Sequence, residues 1–122
     1  MNSKEALQFV KDRLSGKALK GQRRSSKWSK VRGAHLEKHP ECEVCGRKTH
    51  VEVHHVMPFS MFPDMELEPK NLITLCENKK NGLNCHLFVG HLGNFKRFNP
   101  NAKAMALQFR ALLGKLDLNN DI

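Results

Sequence analysis

Two kinds of side chain in this sequence are spaced for chemistry. His54 and His55 are adjacent at the end of the strand-like run VEVHHV, Asn71 stands before a second apolar run, LITLC, and His86 directly follows Cys85. An imidazole titrates near neutral pH, so it serves either as a general base or as a metal ligand. Successive strand residues point to opposite faces, so His54 and His55 cannot readily share one task. The other kind is cysteine. Cys42 and Cys45 are separated by two residues and followed by Gly46, a spacing that turns both sulfurs toward one point, with Gly46 free to take the left-handed backbone of such a turn. Alone this pair is equally a redox dithiol. With Cys76 and Cys85 it makes a set of four thiolates suited to tetrahedral zinc, provided the eight residues between the second pair loop out. His35, His39 and His50 lack such neighbours and read as surface residues.

The elements that must position these groups follow from periodicity and punctuation. The spacing predicts an amphipathic helix over 4–14 and a short basic helix over about 26–38, stopped by Pro40, because a residue preceding proline disfavours helix. A strand over 51–56 and a strand over 72–75 flank a long loop punctuated by Pro58, Pro63 and Pro69. Phe59, Met61, Phe62 and Met65 should fold that loop onto itself. A helical run begins at His86 and extends to about Leu92. Asn99 and Pro100 then open a last helix, with Met105, Phe109, Leu112 and Leu116 as its inward stripe.

Length and charge narrow the classes. The 122 residues suffice for one domain, predicted to span 1–122: a basic helical extension (1–39), the central site (40–94) and a closing helix (95–122). Lys and Arg outnumber Asp and Glu by 21 to 12, a net charge of +9. Eight basic residues and one acid lie between Lys17 and Lys38. That balance favours a polyanion, nucleic acid first. Arg23, Arg24, Lys27, Lys30 and Arg32 are the candidate phosphate contacts, while Trp28 reads as core packing. No apolar run reaches the roughly 18 residues of a membrane span, and the N-terminus has no secretory core, so the expectation is a cytoplasmic protein without a membrane partner, whose cysteines are thiols or metal ligands.

The residues VEVHHVMP, PKNLITLC and CH together resemble the HNH nuclease family over about 40–94. The segments SSKWSKVR and GHLGN are, less specifically, similar to small endonucleases of tailed phages. The resemblance implies an α+β fold with a ββα-metal (His-Me finger) core, a four-cysteine zinc knuckle beneath it and flanking helices. It implies an endodeoxyribonuclease that nicks or cuts DNA. By resemblance His54 and His86 hold the catalytic ion and His55 is the general base. Asn71 either braces the loop behind His55 or joins the metal. The last motif position usually lies four residues beyond the helix ligand, which is Gly90 here. His91, one later, is open between ligand, phosphate contact and structural residue. The implied cofactors are structural Zn2+ and a catalytic divalent cation, Mn2+ or Mg2+, with Ni2+ and Zn2+ as further options; histidine ligands lean away from magnesium. So small a domain implies a partner that supplies specificity, a phage packaging protein among the options. The rival readings are a non-catalytic zinc-knuckle module that binds nucleic acid, and a redox protein using Cys42 and Cys45.

Overall fold

The computed structural model describes residues 3–4, 23–77 and 84–120, with side chains given up to 115 in the last helix. Most of the helix expected over 4–14, and the turn between the second pair of cysteines, lie outside the described residues.

The order is helix α1 (Trp28–Lys38), strand β1 (Val51–His55), two short 3-10 turns (Pro63–Met65 and Pro69–Asn71), strand β2 (Leu72–Cys76), a five-residue π-helical turn (His86–Gly90) and helix α2 (Ala102–Asn120). Ser25 starts α1: its hydroxyl accepts from Lys27 N–H at 3.1 Å and its carbonyl from Trp28 N–H at 3.2 Å. The helix stops short of Pro40, with Lys38 in its last turn where the helix dipole favours positive charge. No residue of α1 is fully buried.

The strands pair antiparallel, with His54 opposite Ile73 and His55 opposite Leu72. Paired residues share a face, so the two histidines leave the hairpin on opposite sides. On the His55 side, Thr74 donates to the His39 carbonyl at 2.7 Å and the Trp28 ring packs on His55, which seats α1 there. On the His54 side, Ile73 and Leu75 join Val89, Ala102 and Ala106 in the core. All five residues of β2 are buried, and this explains the unbroken apolar run LITLC.

Helix α2 is opened by Asn99, which accepts from Asn101 N–H at 3.0 Å and donates to the Val89 carbonyl at 2.9 Å. That second bond fastens the helix start to the π-helical turn. The expected stripe is corrected here. Phe109 is 41% exposed and Leu112 is 53% exposed, while Ala102 and Ala106 are buried with Met105 and Leu113 beside them. Two alanines let the helix backbone approach the core closely, and this turns the larger residues outward; Leu116 lies past the described side chains. Among the described residues no helix is long and apolar enough to cross a membrane.

Candidate metal and active site

The turn after α1 brings Cys42 and Cys45 together. Gly46 N–H bonds the Cys42 carbonyl at 2.8 Å and Cys42 N–H bonds the Arg47 carbonyl at 2.8 Å. Gly46 closes the turn at φ +77°, a backbone that side chains resist. Cys76 ends β2 and Cys85 begins the π-helical turn. All four sulfurs lie within 4.8 Å of one another, Cys45 and Cys76 at 3.7 Å. Four sulfurs held about 2.3 Å from a tetrahedral zinc would stand about 3.8 Å apart, so the donor set fits that ion. Three of the four are fully buried. Crowding divides their acidity: a hydrogen bond from Cys85 lowers the Cys42 thiol and raises Cys85, while burial raises Cys45. A cation is what lets all four exist as thiolates together.

Next door, His54, His86 and His91 converge. His54 Nδ1 is 3.0 Å from His86 Nε2, and His91 Nε2 is 3.2 Å from that same His86 nitrogen. The His91 ring is fixed from outside: its Nδ1–H donates to the Arg97 carbonyl at 2.7 Å, so its inner nitrogen carries a lone pair. A neutral His86 has one Nε2 proton to give and two nitrogens facing it. Protons alone therefore satisfy this trio poorly, whereas a cation would take all three lone pairs. The nitrogen spacing is close to the roughly 3.3 Å of a tetrahedral site with bonds of about 2.0–2.1 Å. Outside the trio, His86 Nδ1 lies 3.7 Å from a Glu77 carboxylate oxygen, and His54 Nε2 lies against Gly90. Burial pushes His54 down to about 3, helped by His86 and His91; burial and then His91 also lower His86. Both rings are thus kept neutral, the form that ligates.

The π-helical turn explains the spacing. In an ordinary helix the residue four beyond His86 would face the same way, and that residue is Gly90. The wider π-helical turn brings the fifth residue, His91, onto that side. Gly90 is needed where it is: a Cβ there would sit 3.2 Å from His54 Cε1 and Nε2 and from His86 Cδ2.

His55 stands apart from the trio. Its Nε2–H donates to the Glu66 carbonyl at 2.9 Å, and the Trp28 ring lies 4.4 Å from its own, centroid to centroid. Burial lowers its pKa, which leaves the ring neutral near pH 7. Asn71 is buried and spans the loop: it accepts from Met57 N–H at 2.8 Å and donates to the Met57 and Met65 carbonyls, both at 3.1 Å.

The basic segment is divided. Arg23, Lys27 and Lys30 are exposed. Arg32 reaches Glu52 at 3.8 Å across the surface. Arg24, itself half-exposed, pairs with the fold: its Nε lies 3.0 Å from the buried Glu66 carboxylate and its guanidinium lies over the rings of Trp28 and Phe59. Trp28, read from sequence as core, is half-buried on His55 instead. Sequence reasoning missed Glu66 and Glu77. Glu66 has no local signal, being one of three acids, with Asp64 and Glu68, in a loop whose other residues are mostly apolar. Glu77 could have been found as the residue directly after a knuckle cysteine.

A hairpin that delivers one histidine to each face, followed by a helical turn that brings two more back to the first, is a ββα-metal arrangement beside a four-cysteine cluster. Residues 42–87 match the family model described as HNH endonuclease, so this stretch of the chain is similar to HNH domains. The match supports a nuclease-type function, for which nucleic acid is the class of substrate. Neither the search of curated proteins nor that of solved structures returns a match.

Proposed function

We propose that the chain is one nuclease unit that hydrolyses DNA phosphodiester bonds. The observation that carries this reading is the pairing of the three-histidine trio with a separate neutral imidazole, His55, on the other face of the same strand. Cys42, Cys45, Cys76 and Cys85 would hold Zn2+ with a purely structural task, since the set is closed on all four sides. His54, His86 and His91 would hold a divalent cation, Mn2+ or Mg2+ by family and Ni2+ or Zn2+ by ligand chemistry. Once bound, that cation supplies Lewis-acid polarisation of the scissile phosphate.

The remaining work belongs to side chains. The bond to Glu66 keeps the proton on His55 Nε2, so Nδ1 is the basic nitrogen and takes the proton of the attacking water. Asn71 ties both ends of the loop that carries this carbonyl. Arg23, Lys27, Lys30 and Arg32 neutralise flanking phosphates.

The test uses the full chain, supercoiled plasmid and RNA of matching sequence, with Mn2+, Mg2+, Ni2+ or Zn2+ added in turn. Wild type cuts DNA, and His55→Ala binds without cutting. If wild type and variant both bind and neither cuts with any ion, the protein is a non-catalytic zinc-knuckle module. Preferential cutting of RNA would replace the substrate.

A further inference from the structure

Glu66 is a carboxylate buried to 4% exposure in the loop between the strands, and both halves of the residue are occupied. Its side chain takes hold of the basic segment: Oε1 accepts from Ser25 N–H at 2.9 Å and Oε2 pairs with Arg24 Nε at 3.0 Å. Its main-chain carbonyl accepts from His55 Nε2 at 2.9 Å. The same segment lays Trp28 on the His55 ring, and Arg24 caps Trp28 and Phe59 with its guanidinium. The candidate base is therefore gripped between a carbonyl and an indole, and one ion pair connects the two.

We infer that Glu66 and Arg24 are positioning residues for His55: the seating of residues 24–28 on the loop fixes the tautomer and orientation of the ring. This rests on the reading of His55 as the base. Arg24, a phosphate contact by sequence, acts here through Glu66 and touches no substrate. Burial decides this. A carboxylate removed from water and left without a cation is costly, so the pair forms at the expense of any phosphate contact by Arg24. A ring anchored at Nε2 presents one lone pair at one place; a ring released from that anchor samples both tautomers and loses alignment.

Two measurements on the zinc-loaded 122-residue chain test this. In the first, nitrogen-15 spectra of the imidazoles report the His55 tautomer without any cleavage. Wild type shows the Nε2–H form alone, and Glu66→Ala and Arg24→Ala show a mixture. Glu66→Gln, which still accepts from Ser25, stays close to wild type. In the second, single-turnover cleavage separates rate from affinity. Glu66→Ala and Arg24→Ala lower the rate constant about tenfold, the size of effect typical of groups that orient a reacting residue, and leave the half-saturating DNA concentration within about twofold.

A raised half-saturating concentration with an unchanged rate constant for Arg24→Ala would overturn the inference and restore a phosphate contact. An unaltered His55 tautomer in both alanine variants would overturn it as well. If wild type does not cleave at all, the nuclease reading fails, while the tautomer measurement still decides whether this grip exists. Should Glu66→Ala not fold, Arg24→Ala, whose side chain is half-exposed, carries both measurements.

Discussion

Cys85 and His86 are neighbours in the chain, yet they enter two clusters of opposite character. The cysteine cluster is sealed: four soft ligands, mostly buried, drawn from a tight turn, a strand end and a helical start. The histidine cluster is partial: three imidazole rings, two of them half-buried, which leave a four-coordinate ion one ligand short. A four-coordinate closed set holds a fold together, and an open set leaves positions for substrate. One hairpin thus supplies both a staple and a workplace. What separates them is the number of protein donors and their softness, since the chain brings them side by side at the Cys85–His86 junction.

The largest effect should come from the staple. Cys42→Ser removes one of four thiolates, and we expect loss of the bound zinc and of cooperative thermal unfolding, because structural zinc contributes on the order of 10 kcal/mol or more to small domains. Elemental analysis and circular dichroism check this. If Cys42→Ser keeps its melting transition, the two clusters are not divided as described.

His55→Ala comes next. It should lower the cleavage rate by about 10²–10⁴-fold, as loss of a general base does, with zinc content and melting temperature close to wild type. His54→Ala sharpens the contrast between clusters: titration calorimetry of the zinc-loaded protein with Mn2+ should lose its binding step while the knuckle zinc stays. Simultaneous loss of both metals would merge the two centres into one.

A smaller change should follow from Gly90→Ala. The added Cβ presses at 3.2 Å on both His54 and His86, so the rings must give by a few tenths of an ångström. Weakening of cation affinity by about tenfold is expected, in line with displaced metal-supporting groups, and the same calorimetry measures it.

The smallest effect concerns a histidine in neither cluster. Burial, with His39 and Lys103 adding to it, holds His35 down to about 4 against an ordinary value of 6.5. The unfolded chain takes up this proton first, so the stability involved is present above pH 6.5 and is lost as pH falls toward 4. His35→Gln should flatten the fall in unfolding midpoint between about pH 7 and 5 relative to wild type, with cleavage near neutral pH unaltered. An equal slope in both proteins would show that the lowered pKa has no consequence for folding.

Much of this organisation was legible in the residues because local chemistry dictates it. Pro40 stops a helix, Gly46 closes a turn, and alternation separates His54 from His55 whatever the tertiary setting. The chain's own spacing also showed that His91 was one residue late for a regular helix. A π-helical turn cannot be read from such a pattern, because it exists only once His54 and Asn99 hold its flanks. Trp28 was legible as an apolar ring needing cover, but its cover is a histidine far along the chain, His55. The inward face of α2 was misread for a related reason. Hydrophobic periodicity ranks large residues first, and here two alanines win because the helix lies close to the core.

The direct peptide link from Cys85 to His86 has a mechanical consequence. One amide plane connects the two centres, so a sulfur that moves when zinc is gripped or released drags an imidazole with it. On the proposed reading, loading of the knuckle would also set the aim of the trio, and a change that emptied the first centre would disturb the second.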